Sequence, residues 1–351
     1  MKDLKYLMAY SVPLSVVISF YFKGVSSYTA LAYVFFFIPL AESLIPIKEN
    51  KHANADTTKR ALNPIFDWLL YLNVPIVYAI LGYGLYEFST ASLFAYEYVG
   101  LIFALGILLA TNAVNVAHEL GHRKSNLETL LTRLLLLPCL YMHFTIEHNH
   151  GHHKHVATDQ DPATAKKGQS LYHFWLTSVI GQYRNAWRIQ KKLLKKRGAR
   201  FFSLKNNMLL FIAYQVFYLG AIFSLFGLNI FFIALLVGII SFLFLETINY
   251  IEHYGLMRKK INGKYEKVQN IHSWNSDHVM GRIVLYELTR HSDHHFRASK
   301  KYQVLESLEN SPTMPFGYPA SMLLALLPPL WYSIMHPKLD IPINNCKYYN
   351  T

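Results

Sequence analysis

Thiols are nearly absent: Cys139 and Cys346 are the only cysteines among 351 residues. Two thiolates cannot build a disulfide framework, a four-cysteine zinc site or an iron–sulfur centre. Charge is scarce too, at 16% of residues, while 52% are hydrophobic and the mean hydropathy is +0.18. Those values exclude a disordered or collagen-like chain. Acid is the rarer sign, 21 residues against 34 Lys and Arg, for a formal net charge of +13. Excess base is compatible with nucleic acid, but here the charges avoid the long apolar runs and collect between them, as in membrane proteins. No nucleic-acid partner is expected, and any metal must rest on histidine or carboxylate.

What is abundant is long apolar sequence. A helix needs roughly 20 apolar residues to cross the hydrocarbon core, and six runs qualify, at about 6–22, 27–46, 66–88, 95–117, 207–226 and 229–252. The expected fold class is all-α: one polytopic membrane domain over residues 1–351 with about six transmembrane helices. Lys48, Lys51, Lys59 and Arg60 lie in one connector and many Lys and Arg lie in 123–206, whereas the short links 23–26, 89–94 and 227–228 hold only Lys23. By the positive-inside rule both termini and the segments 118–206 and 253–351 face the cytoplasm, which places the chain in the inner membrane among its lipids. The first run lacks a small-residue cleavage pattern and reads as an anchor. Leu127 to Phe144 and Phe316 to Met335, interrupted by Arg133 and Pro138 or by Pro328 and Pro329, are placed at the cytoplasmic interface.

Of 17 histidines, 15 lie between His118 and His295, at the cytoplasmic ends of spans or in the loops beyond. They read His118-Glu-Leu-Gly-His122, Glu147-His148-Asn-His150-Gly-His152-His153-Lys-His155, Asn249-Tyr-Ile-Glu-His253-Tyr-Gly and Leu288-Thr-Arg-His291-Ser-Asp-His294-His295. Spacings of three and four put imidazoles on one helix face, as with His118 and His122, His148 and His152, or His291 with His294 and His295. Two polar stripes point at this cluster: Thr111, Asn115, His118 and His122 on the fourth span, and Glu246, Asn249, Tyr250 and His253 on the sixth. Polar groups at that depth are costly unless they face a bundle interior or a site. Imidazole suits zinc, copper, iron and nickel. One tetrahedral zinc uses at most four such groups, so this density argues for two metals with open positions, and iron with vacant sites activates O2. Glu119, Glu147, Glu252 and Asp293 each neighbour a motif histidine and are expected to fix its tautomer or to add a ligand. Isolated His143 and His336 read as ordinary interfacial residues.

These clusters, with Val156-Ala-Thr-Asp-Gln-Asp-Pro-Ala-Thr164 and His272-Ser-Trp-Asn-Ser-Asp-His278, closely resemble the membrane-bound non-haem di-iron alkane 1-monooxygenases, within the desaturase and hydroxylase superfamily. The likeness runs from about residue 30 to Lys338. It implies two iron ions held by His118, His122, His148, His152, His153, His253, His291, His294 and His295. It also implies terminal hydroxylation of an alkane or alkyl chain by O2, with electrons from rubredoxin and its NADH-dependent reductase, and no haem or flavin in this chain. No separate acid, base or nucleophile is expected. Arg123, His150 and Asp277 depart from the usual pattern, and Asp277 with His278 brings further candidates close to the site. Val34, small among the aromatics of Ala32-Tyr-Val-Phe-Phe-Phe37, is expected to line a substrate channel. Arg297, Lys300 and Lys301, just past the last histidine box, are expected to dock the acidic electron donor, while the run from Lys191 to Arg200 meets lipid headgroups.

Other readings use the same residues. A related membrane di-iron hydroxylase or desaturase acting on another lipophilic molecule needs the same oxidant. His118 to His122 also spells the HExxH of zinc proteases, where one zinc would leave most of the histidines unexplained. A metal transporter would hold its site near the bilayer midplane between repeats, and no repeat is seen.

Overall fold

The computed structural model describes residues 2–45, 47 and 54–339. Lys48, Lys51, Cys346 and the end of the 253–351 segment lie outside them. Six helices are long and apolar enough to cross a membrane: Asp3–Phe22, Gly24–Leu44, Ile65–Thr90, Ala95–Gly121, Asn207–Phe226 and Leu228–His253. They fall on the six runs expected from the sequence, with ends shifted by a few residues.

The two interrupted stretches break into short helices. Ser125 caps Asn126–Leu136 by accepting the Glu128 N–H at 3.1 Å, and Pro138 follows, where a helix loses a donor. Tyr318–Ala325 and Pro328–Leu339 replace the last apolar stretch, with Pro328 at a helix start that leaves its own N–H unneeded. The long basic connector holds a 26-residue amphipathic helix, Leu171–Lys196, that buries Phe174, Ser178, Gln182, Ala186 and Gln190 at four-residue spacing. Its first half exposes Tyr172, Leu176 and Ile180, and its second half exposes Lys191, Lys192, Lys195 and Lys196. The only strands among the described residues are Lys260–Ile261 and Lys264–Tyr265. They are joined through Asn262 and Gly263, whose positive φ angles of 48° and 78° suit a tight hairpin turn.

The fourth and sixth spans carry the site and pack closely. Gly106 makes this approach feasible, because a side chain there would run into Ile240. Three helical stretches widen to the π form, at Tyr33–Phe37, Leu109–Val114 and His148–His152. Such turns are rare and gather at functional sites. Here the first two flank an apolar cavity and the third carries ring nitrogens of the histidine cluster.

Candidate metal centre

Four backbone elements deliver the histidines. The last turn of the fourth span bears His118, and His122 follows at its end. The π turn His148–His152 leads into His153, the sixth span ends at His253, and the short helix His291–Phe296 bears three more. Their rings form two adjoining groups: His118, His122, His148, His153 and His294 in one, and His152, His253, His291 and His295 in the other. Within each group the nearest ring nitrogens lie within 4.8 Å of one another. The His153 and His295 ring centroids, one from each group, are 4.7 Å apart.

This partition differs from the helical-face expectation at two places. His148 and His152 separate because the π turn between them repeats near five residues rather than four, so His148 aligns with His153 instead. On the last helix His291 and His295 stay together at spacing four, and His294 turns to the other group.

The donor set fits metal ions. Nε2 atoms of His122, His148 and His153 form a triangle with sides of 3.1, 2.9 and 3.3 Å. A neutral imidazole nitrogen offers one proton or one lone pair, so three of them facing one another cannot all be satisfied. Around one ion with bonds of about 2.1 Å, ligands at right angles lie about 3.0 Å apart, close to the sides observed. His118 Nε2 and His294 Nε2 of the same group are buried without a hydrogen-bond partner among the described residues. In the second group the Nε2 contacts are 3.1 Å for His291 to His253, 2.8 Å for His295 to His291 and 3.2 Å for His152 to His295.

Electrostatics agree. Burial first, and then the neighbouring imidazoles, hold His148, His153, His291, His294 and His295 well below the ordinary histidine range, and burial with His152 brings His122 down to about 4. These rings are neutral at pH 7, the form that ligates. His152 alone goes the other way: burial lowers it, but the carboxylates of Asp161, Glu147 and Glu252 together outweigh burial and raise it.

The acidic neighbours divide unevenly. Asp161, quoted in the sequence motif but given no role there, accepts from His152 Nδ1 at 2.9 Å and is itself held by the Thr164 hydroxyl at 2.6 Å and the Ala163 N–H at 3.1 Å. It is the carboxylate behind a histidine that the sequence reading sought elsewhere; its signal was the Asp-x-x-Thr spacing that lets Thr164 reach back. Glu252 is different, with Oε2 3.1 Å from His291 Nε2, on the ligating side, and Oε1 accepting from the Tyr318 hydroxyl at 2.6 Å.

The remaining expected helpers bond to other partners. Glu119 pairs with Arg123 at 3.1 Å and accepts from the Tyr302 N–H. Arg123 also reaches Asp67 and Glu128, spreading three carboxylates over the two ends of its planar guanidinium. Glu147 accepts from Asn185 at 2.9 Å. Asp293 pairs with Lys300 at 2.6 Å. Asp277 accepts from Asn275 and Ser307, and His278 Nδ1 meets the Ser276 hydroxyl. Glu246 is satisfied by Tyr141, Ser178 and Gln182, so it ties the sixth span to its neighbours rather than facing the histidines. Tyr250 leaves the expected stripe as well, donating to Gln169 O. Asn249 does line the space beside the histidines. His143 is buried against Tyr141 and Tyr183, and His336 bonds the Tyr254 hydroxyl.

An apolar slot leads to the histidines. It is lined by Val12, Val34, Ile38, Ile107, Ala110 and Ile248 among others. Ala110 and Ile248 also border a smaller space walled by His118, His148, His291 and Glu252. Val34 therefore faces inward, while Phe36 and Phe37 of the same run are exposed.

A helical bundle of membrane-span length that gathers its histidines into two metal-holding groups defines a class, and the fatty acid desaturase family model matches residues 94–322. Within that class, alkane 1-monooxygenase 1 of Alcanivorax borkumensis is 36% identical over 304 residues, covering 86% of this chain and 75% of the relative. Alkane 1-monooxygenase of Pseudomonas putida is 35% identical over 303 residues, covering 86% and 75%. A more distant relative, the hydroxylase component of xylene/toluene monooxygenase of Pseudomonas putida, is 27% identical over 289 residues, covering 81% and 77%. The chain belongs to the alkane 1-monooxygenase family and is a membrane-bound monooxygenase, an oxidoreductase.

Proposed function

We propose that this chain hydroxylates the terminal methyl group of an alkane or alkyl chain, with one iron ion held by each histidine group and all nine motif histidines as ligands. The observation that carries this reading is the meeting of a narrow apolar slot with two adjoining sets of converging ring nitrogens. Iron bound there supplies the reductive activation of O2 and the oxidation of the C–H bond; one alkane, one O2, two electrons and two protons give one primary alcohol and one water.

The chain's own residues supply position and exclusion. A methyl group offers no hydrogen bond, so the walls must select it by shape. Val34 sets the width of the slot on the second span, Ala110 and Ile248 form its neck, and the terminal carbon passes them before it reaches His118 and His291. Tyr318, which lines the slot, holds Glu252 beside His291, where the carboxylate is available as a fifth donor to the four-histidine group. Val34→Trp fills the slot and is expected to shorten the longest alkane hydroxylated by several carbons; an unchanged product profile in a well-folded variant counts against the assignment.

The donor we assign is rubredoxin, reduced by its NADH-dependent reductase, reaching the site from the cytoplasmic face of the inner membrane. His122 and His153 are the two ligating candidates not classed as fully buried, so the five-histidine group lies nearer that face. Arg297 is exposed beside the exposed Phe296. Lys300 and Lys301 pair with Asp293, Glu306 and Asp67, which leaves Arg297 the freer of the three cations expected to dock the donor.

The test combines metal analysis of purified protein with product identification from medium and long alkanes in the presence of rubredoxin and its reductase. Two irons per chain and 1-alkanols are expected. Zinc as the sole metal of active protein, or desaturated products alone, would overturn the reading.

A further inference from the structure

The slot has an outer neighbour. A groove of about 430 Å³ lies between the second, fourth and sixth spans, lined by Leu31, Phe103, Leu243 and Leu323 and bordered by Trp175. Phe103, Leu323 and Leu326 on its rim are exposed. Because Leu31, Phe103, Ile240 and Leu243 of its lining lie on apolar spans, the groove opens toward hydrocarbon. The one polar side chain in its lining, Thr247, accepts from Trp175 Nε1 at 3.1 Å and donates to Leu243 O at 2.7 Å, so no polar group there is left to attract water.

Phe35, Phe244 and Met322 line both the groove and the slot. The two rings stack with centroids 5.8 Å apart and planes 27° from parallel. We infer that these three side chains form a gate between the bilayer and the reaction slot, through which a linear alkyl chain enters sideways. The inference rests on the alkane reading for the identity of that chain.

Volume supplies the first argument. The inner slot holds about 50 Å³ and the space beside the histidines about 20 Å³, where one water needs roughly 10–15 Å³ on the same measure. The slot as it stands cannot seat a long chain, whereas the groove can. Entry therefore requires wall movement, and the wall shared by both spaces is built to move. Met322 is unbranched and adaptable. Phe35 sits in the π turn Tyr33–Phe37, a rare local geometry that gathers at functional sites. Shared lining supplies the second argument: groove, slot and histidine space join in series, through Phe35, Phe244 and Met322 and then through Ala110 and Ile248.

The test uses the double variant Phe35→Cys, Phe244→Cys in lipid nanodiscs, locked by oxidation or a short bifunctional thiol reagent and released by reduction where the bridge is a disulfide. Two readouts are taken. With rubredoxin and reductase, kcat/KM for dodecane is expected to fall at least tenfold on locking and to recover on reduction, with iron content constant. Independently of turnover, a dodecane bearing a photoreactive diazirine is expected to label the peptide containing Val12 only in the unlocked form, and the peptide containing Leu31, on the far side of Lys23, in both. Phe244→Ala, which needs no cross-link, is expected to raise kcat/KM for a methyl-branched alkane relative to dodecane by about tenfold.

Locked protein that still turns over and still labels the inner slot overturns the gate. A photoreactive phospholipid that labels the groove, with no alkane label reaching the slot, makes the groove a lipid seat and also overturns it. Labelling that obeys the lock in a protein that oxidises no alkane leaves the gate standing and overturns the alkane reading instead.

Discussion

The two histidine groups are unequal. One has five members and reaches toward the surface through His122 and His153; the other has four, all buried, with Asp161 behind His152 and Glu252 in front of His291. A donor deficit on one side is thus matched by carboxylate, and an excess of imidazole on the other by exposure. The end of the slot meets both groups, His118 and His148 of the five-member one and His291 with Glu252 of the other, so exposure and carboxylate supply, not access to the slot, are what set the two positions apart.

The largest expected effect probes that inequality directly. His291→Ala takes one of four imidazoles from the buried group, and His153→Ala takes one of five from the exposed group. His291→Ala is expected to abolish hydroxylation and to bring bound iron to about one per chain. His153→Ala is expected to retain more than one iron and a few per cent of activity. Metal analysis with single-turnover product yield checks both, and equal losses would mean that the groups are equivalent.

Next comes the buried side's brace. Asp161→Asn keeps a hydrogen-bond acceptor behind His152 but removes the charge that makes the ring more basic. Partners of this kind typically contribute 10–100-fold in metal affinity or activity, so activity is expected to fall within that range while His155→Ala, outside both groups, leaves it within about twofold. An Asp161→Asn enzyme of full activity and iron content would reduce Asp161 to a structural role.

How far the sequence reveals this inequality is instructive. The spans are legible because apolar length is a one-dimensional property, and the nine histidines because their density admits few bland explanations. Their partition was not legible: it turns on a π turn at His148–His152, and a single shifted helical register moves one imidazole between groups. Carboxylate placement is only partly legible, for a related reason: Glu252 does stand beside His291, but others turn away. Adjacency in sequence put Glu119 and Asp293 beside histidines, but in a helix neighbours one residue apart face different ways, so both carboxylates pair with cations instead. Asp161, nine residues from His152, is brought back by the irregular turn that Thr164 stabilises.

A stability prediction follows from the buried ion network at the base of the last histidine helix. Glu287 accepts from Arg282 Nε at 2.7 Å, Lys5 at 2.9 Å and the Tyr6 hydroxyl at 2.8 Å, with Arg290 at 3.5 Å. Burial raises the Glu287 carboxyl, but Arg290 and Arg282 outweigh burial and bring it down to about 2. Glu287→Gln removes the buried negative charge that faces Arg282, Arg290 and Lys5 and is expected to cost about 3–5 kcal/mol. The folded carboxyl lies below its ordinary 4.5, so this contribution is full above that pH and is lost as pH falls toward 2. Thermal unfolding of wild type and variant should therefore converge between pH 4.5 and 2; a gap that stays constant there would show that packing, not charge, stabilises this corner.

The smallest expected effect concerns the exposed side, where we propose that the electron donor docks. Lys300→Glu with Lys301→Glu is a poor probe, because those amines pair with Asp293, Glu306 and Asp67, and Asp293 lies between two ligating candidates. Reversing them would disturb the site as well as the surface. Arg297 and Lys154 are exposed, Arg297 two residues past His295 and Lys154 next to His153, so both flank the accessible edge. Complementary charge at such a rim chiefly raises the encounter rate, and salt screens it over about 8 Å at physiological ionic strength. Arg297→Glu with Lys154→Glu is therefore expected to raise the apparent KM for an acidic rubredoxin about three- to tenfold, to leave iron content and kcat at saturating donor unchanged, and to flatten the fall of turnover with added salt. Reversal of the exposed run Lys191, Lys192, Lys195 and Lys196 should change none of these if, as the sequence leads one to expect, those cations meet lipid headgroups. If that run governs the KM and the rim pair does not, the donor approaches along the amphipathic helix, and exposure of His122 and His153 does not mark the electron entry.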